Sequence, residues 1–125
     1  MAKLMREGAC VPVCPEVLGG LGVPRLPAEI RCGTGSDVLS GRASVVNSQG
    51  EDVGRGFVEG AERALAIGLQ TGCTKAIVKA RSPSCGAGFI YDGSFTHTGR
   101  RGDGVFVALL RSYGFEVLTD EDDWK

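Results

Sequence analysis

Two cysteine-bearing segments hold the residues of this sequence best suited to chemistry. The first is Ser82-Pro83-Ser84-Cys85-Gly86, which follows the apolar run Lys75-Ala76-Ile77-Val78-Lys79. A thiol in a loop of small residues is open to a ligand on one side and to backbone amides on the other. That suits a thiolate nucleophile or a soft-metal ligand. Pro83 stiffens the turn, and Gly86 and Gly88 admit a close approach. The second segment is Cys14-Pro15-Glu16, where a carboxylate two residues from a thiol can accept or deliver a proton beside a metal or a leaving group. Each has a plainer reading. Cys85 can be a buried thiol in a serine-rich turn, and Glu16 a charge at the start of a helical turn beginning at Val17. The setting of Cys85 favours chemistry; Cys14-Pro15-Glu16 taken alone carries little weight.

Other chemistries lack their residues. The five cysteines, at 10, 14, 32, 73 and 85, are odd in number and include no Cys-x-x-Cys pair, so a zinc knuckle or thioredoxin motif finds no support. Met1 to Gly8 lacks the apolar core of a signal peptide, so the expectation is a cytoplasmic protein with reduced thiols. Cys10 is expected to be structural, and neither Cys32 nor Cys73 stands out as a ligand. His97, the sole histidine, lies between Thr96 and Thr98 and reads as a loop tip rather than a base for a cysteine. The glycine-rich stretches lack the lysine and threonine of a P-loop, and Gly33 to Gly35 does not follow a strand and open a helix. Fourteen basic residues against fifteen acidic ones give no basic footprint for nucleic acid. No stretch approaches the roughly 20 apolar residues of a membrane span.

The elements that must position these loops are legible in outline. The chain of 125 residues suits one domain. Ala2 to Arg6 reads as the tail of a helix, and Cys10 to Cys14 as a short strand closed by Pro15. Glu16 to Gly41 reads as one long ordered connection, since Pro24 and Pro27 forbid a long helix there. Arg42 to Asn47 is a strand. A helix opening at Gly50-Glu51-Asp52 carries Val53, Phe57, Ala61, Ala64 and Leu65 at three- and four-residue spacing and ends at Gly72. Lys75 to Lys79 is a buried strand. Residues 89 to 96 form a hairpin turning at Asp92-Gly93, Val105 to Tyr113 a helix, Phe115 to Leu118 a strand, and Asp120 to Asp123 an exposed acidic tail. Strand and helix alternate, which predicts an α/β domain with a mainly parallel sheet. Ligands of such sheets sit outside the carboxyl ends of the strands, so the loops after Cys14 and Ala80 should meet on one edge.

Taken together, Val11-Pro12-Val13-Cys14-Pro15-Glu16, Gly19-Gly20-Leu21, Pro24-Arg25, Pro27-Ala28-Glu29-Ile30, Ser82-Pro83-Ser84-Cys85-Gly86, Ile90-Tyr91-Asp92-Gly93 and Gly102-Asp103-Gly104-Val105 resemble the thiouracil desulfurase family. The resemblance runs from about Gly8 to Leu118. It implies a Rossmann-like three-layer α/β sandwich over residues 1–125 and a 4Fe–4S cluster held by three cysteines. It further implies non-redox desulfuration of a thiolated nucleobase such as 2-thiouracil, with the substrate's sulfur captured on the iron left open. Matched by motif, Cys14 and Cys85 correspond to two cluster ligands, Glu16 and Ser82 to catalytic proton-handling groups, and Ser84 to a substrate-binding residue. The family's first strand, ending in a Cys-Leu-Leu-Gly-like motif that supplies the third ligand, has no counterpart before Cys14. The expectation is therefore a sheet without its first strand, in an N-terminally truncated chain. Two alternatives accompany this reading: a non-catalytic module that binds a cluster or sulfide, and an inactive fragment.

Overall fold

A computed structural model describes residues 2–21, 26–78 and 83–119. Its first element corrects the sequence reading. Ala2–Arg6, expected as a helix tail, is strand β1, and it turns at Glu7-Gly8 into strand β2, Ala9–Val13. Ala2 and Leu4 are buried and Lys3 is exposed, the two-residue period of a strand. Gly8 takes a φ of +74°, the left-handed conformation that a two-residue hairpin loop favours and that glycine adopts without steric cost.

The elements that follow are α1 Pro15–Leu18, β3 Ala28–Arg31, α2 Gly35–Leu39, β4 Ser44–Asn47, α3 Gly54–Gln70, β5 Lys75–Val78, β6 Phe89–Tyr91, β7 Gly99–Arg101, α4 Val105–Ser112 and β8 Glu116–Thr119. The main sheet has the order β2-β1-β5-β8. Strand β1 is antiparallel to both neighbours, and only β5 and β8 run parallel. The mainly parallel sheet expected from the sequence is thus corrected to a mixed and mostly antiparallel one. Part of the cause is local: the two-residue hairpin permits only antiparallel pairing of β1 with β2, whereas a parallel partner needs a long crossover; β5 then pairs antiparallel with the other side of β1.

One face of this sheet is buried. Ala2, Leu4, Val13, Ala76 and Val78 pack with Phe57, Ala61, Ala64 and Leu65 of α3 and with Phe106 and Leu110 of α4 in a single core. Lys3, Pro12, Lys75 and Glu116, on the opposite face, are exposed. The second helical layer of a three-layer sandwich is therefore not formed by the described residues. No helix among them is long and apolar enough to cross a membrane.

The stretch from Glu16 to Gly41, expected as one ordered but irregular connection, carries regular elements among its described residues. Pro15 opens α1 at the position where a missing N–H is harmless. Strand β3 pairs antiparallel with β4. Thr34 and Asp37 form a capping box at the start of α2, the Thr34 amide donating to Asp37 Oδ2 at 2.9 Å. The hairpin of β6 and β7 does not turn at Asp92-Gly93; its loop runs through residues 92–98. Glu29, buried on β3, explains the longer loop. Its Oε1 accepts the amides of Gly93 at 3.0 Å and Phe95 at 3.1 Å. Phe95 and His97 hold positive φ in the same loop. The elements α3, β4, β5, α4 and β8 lie where the sequence put them, to within a few residues. Pro24, Arg25, Ala80 and the acidic tail lie outside the described residues.

Although the sheet is mixed, β2 and β5 both oppose β1 and so end on the same edge. Val13 and Val78 each stand opposite Ala2 in register. Two inter-strand spacings place them roughly 10 Å apart. The segments that follow them carry Cys14 and Cys85.

Candidate functional site

Cys14 stands between the end of β2 and the first turn of α1, with Glu16 inside that turn; both are half-buried. The placement of α1 depends on glycines of α3. A Cβ on Gly60 would lie 1.8 Å from the Pro15 carbonyl oxygen, and one on Gly19 would lie 1.9 Å from that of Gly56. The two helices therefore meet backbone to backbone, along a glycine face with helical i, i+4 spacing. The Arg63 guanidinium also donates to the Leu18 carbonyl at the end of α1. These contacts set where Cys14 and Glu16 stand relative to the sheet.

Cys85 is positioned by α4. The Val105 amide donates to the Pro83 carbonyl at 2.7 Å, and the Phe106 amide to that of Ser84 at 2.9 Å. Gly104 donates to the Gly86 carbonyl at 2.7 Å. The first amides of a helix have no acceptor within it, and here the thiol loop supplies acceptors. Gly104 makes this possible, because a Cβ there would lie 2.5 Å from the Ser84 carbonyl oxygen. The positive end of α4 is thereby directed at the loop carrying the thiol, a setting that favours negative charge.

The Cys85 side chain is only 1% exposed and donates to Ser84 Oγ at 3.9 Å. Burial pushes its thiol up to about 12; the Ser84 hydrogen bond opposes this, while the charges of Glu16 and Cys14 add to it. Glu16 and Cys14 thus lie within electrostatic reach of Cys85, as the shared sheet edge requires. A buried thiol of this kind loses its proton to a soft metal more readily than to water, since the metal supplies the missing positive charge.

Ser84 is fully buried, and its carbonyl is taken by α4. Ser82, expected beside the substrate, lies outside the described residues. Cys10, expected to be structural, is instead exposed on β2, opposite Met5. Cys32 is exposed with a φ of +69°. Cys73 is buried beside Thr71 Oγ1 at 3.2 Å. No disulfide joins the five cysteines. His97 is exposed and meets Tyr91 edge-on at 5.2 Å, the loop-tip position anticipated for it.

The site also uses residues to which the sequence reading gave no role: Gly56 and Gly60 under α1, and Asp103 and Gly104 against the thiol loop. The signal for the second pair was the motif Gly102-Asp103-Gly104-Val105, which opens α4. The signal for the first was the four-residue spacing of Gly56 and Gly60 within an amphipathic helix.

Iron–sulfur clusters are held by cysteine thiolates, so the donor type at this edge fits such a group. The donor number does not complete one. Among the described residues, no group of three His, Cys, Asp or Glu side chains is arranged to hold a metal ion. Cys14 and Cys85 bring thiols of the right type to this edge and do not by themselves make a whole site.

The family model for 2-thiouracil desulfurase matches residues 1–122. The uncharacterized protein YbbK of Bacillus subtilis (strain 168) is 46% identical over 120 residues, which are 96% of this chain and 80% of that protein. The solved structure of the 4Fe-4S-dependent thiouracil desulfidase TudS is similar with a TM-score of 0.78 at 42% identity, covering 89% of this chain and 67% of that one. A family model matched over nearly the whole length, with a relative at this identity, establishes that the chain belongs to the 2-thiouracil desulfurase family.

Proposed function

We propose that this chain removes sulfur from thiolated pyrimidine bases such as 2-thiouracil, in dependence on a 4Fe–4S cluster to which Cys14 and Cys85 contribute ligands. The observation that carries this reading is the convergence of Cys14, Glu16 and Cys85 at one sheet edge, in a chain of this family. The reaction converts a thiocarbonyl and water to a carbonyl and hydrogen sulfide, with no net change of oxidation state. When bound, the cluster supplies a soft Lewis acid suited to the substrate's sulfur. The chain's own part is proton handling and placement. Glu16, half-buried in the first turn of α1, takes the proton of the water that attacks the thiocarbonyl carbon. Ser82 relays a proton to the departing sulfur. Reduced cysteines suit a cytoplasmic setting.

The assay is conversion of 2-thiouracil to uracil, with sulfide release, after anaerobic reconstitution with iron and sulfide. Turnover is expected in the parent chain. Glu16→Gln should keep the iron and lose the turnover. Iron uptake with no sulfide release from any thiolated base would reject the enzymatic reading. It would favour a non-catalytic cluster- or sulfide-binding module.

A further inference from the structure

Three segments meet at Asp103. Its Oδ1 accepts the Gly88 amide at 2.7 Å, three residues beyond Cys85. Its carbonyl accepts the amide of Gly35, the first residue of α2, also at 2.7 Å. Its Oδ2 pairs with Arg111 Nε of α4 at 3.1 Å. The flanking glycines continue the pattern, Gly102 donating to the Gly88 carbonyl at 3.2 Å and Gly104 to that of Gly86 at 2.7 Å. The chain leaving Cys85 is thus fastened at Gly86 and again at Gly88, and the second fastening uses a charged side chain.

We propose that Asp103 is a positioning residue for Cys85. Its carboxylate closes the turn from Gly86 to Gly88 and keeps the thiol sealed against α4. Asp103 acts through the Gly88 amide and not on the substrate. The pairing with Arg111 orients the carboxylate and is half-exposed and screened. A charge-assisted hydrogen bond is worth enough to change a local opening equilibrium by about tenfold or more. The consequence for desulfuration rests on Cys85 being the working thiol; the local geometry does not.

The test is iodoacetamide labelling of the full chain, read cysteine by cysteine by mass spectrometry, in the parent, Asp103→Ala and Asp103→Asn. Cys73, buried elsewhere in the fold, is the internal reference. Asp103→Ala should label Cys85 about tenfold faster with Cys73 unchanged. Asp103→Asn, which keeps an oxygen for the Gly88 amide but not the charge, should fall between the parent and Asp103→Ala. The proposal is overturned if Cys85 labelling does not change in Asp103→Ala, if Cys73 accelerates in step with it, or if asparagine gives no partial rescue. Sulfide release measured on the same samples separates the two questions, because an inactive parent chain defeats the desulfurase reading and leaves the labelling ratio decisive for Asp103.

Discussion

Replacing Gly60 by alanine sets two effects of known sign against each other. In an exposed helix the change stabilises by about 1 kcal/mol, because alanine is the better helix former. Here the new Cβ falls 1.8 Å from the Pro15 carbonyl oxygen, 2.8 Å from its carbon and 2.9 Å from the Gly19 nitrogen. All three are backbone atoms of α1 and its cap, which cannot rotate aside, so α1 must retreat by more than an ångström. Overpacking of this kind costs about 1–3 kcal/mol. Steric displacement wins, and the net expectation is a loss of about 1 kcal/mol. For a domain of this size that is a fall in Tm of roughly 5 °C. Gly68→Ala, on the same helix, is the control. The nearest atoms there are Leu4 Cδ1 at 3.1 Å and Phe115 Cζ at 3.3 Å, side-chain ends that can give. That variant should be neutral or stabilised by up to about 1 kcal/mol. Urea unfolding followed by circular dichroism measures both. A Gly60→Ala chain as stable as the parent, or a Gly68→Ala chain equally damaged, refutes the claim that α1 is set by backbone contact with α3. Because α1 carries Cys14 and Glu16, Gly60→Ala should also lower turnover by more than its small loss of folded protein explains.

Other consequences are independent of that contact. Glu29→Ala leaves the Gly93 and Phe95 amides without their carboxylate, and should cost about 2 kcal/mol in urea unfolding while leaving iron binding intact. Hydrogen bonds from the backbone and side chain of Thr34 hold the Asp37 carboxyl below its ordinary value of 3.8. Its contribution to stability is therefore fully present above that value and is lost as pH falls through the lower folded value. Asp37→Asn, which removes the titrating group, should flatten this acid-side loss in a series of unfolding measurements below pH 4; an unchanged slope removes Asp37 from the account.

The sequence disclosed most where the pattern was long or the chemistry unusual. Helix α3 was legible because its apolar positions recur over seventeen residues, and α4 because its face is bounded by Gly104 and Gly114. Strand β1 was misread because five residues carry too little periodicity to separate a strand from a helix end. The Glu7-Gly8 hairpin makes β1 antiparallel to β2, and its pairing with β5 is antiparallel too, so the misreading of β1 carried with it the error about a parallel sheet. The strands β2 and β5 still run the same way and end on one edge, because both are antiparallel to β1. The turn at Asp92-Gly93 failed for another reason: Glu29, more than sixty residues away, captures the loop's amides. That pairing joins Pro27-Ala28-Glu29-Ile30 to Ile90-Tyr91-Asp92-Gly93. In the same way Gly102-Asp103-Gly104-Val105 is joined to the cysteine loop. The sequence shows such motifs, and only the fold shows which of them touch.

The central claim is that Cys14 and Cys85 occupy one soft-metal site, and iron content after anaerobic reconstitution tests it most directly. Parent, Cys14→Ala, Cys85→Ala, Cys10→Ala and Cys32→Ala chains are loaded alike and their iron and visible absorption compared. The account predicts that iron and absorption are lost in Cys14→Ala and in Cys85→Ala but retained in Cys10→Ala and Cys32→Ala, whose thiols stand exposed. Iron retained without Cys14 or Cys85, or lost equally without Cys10, contradicts it.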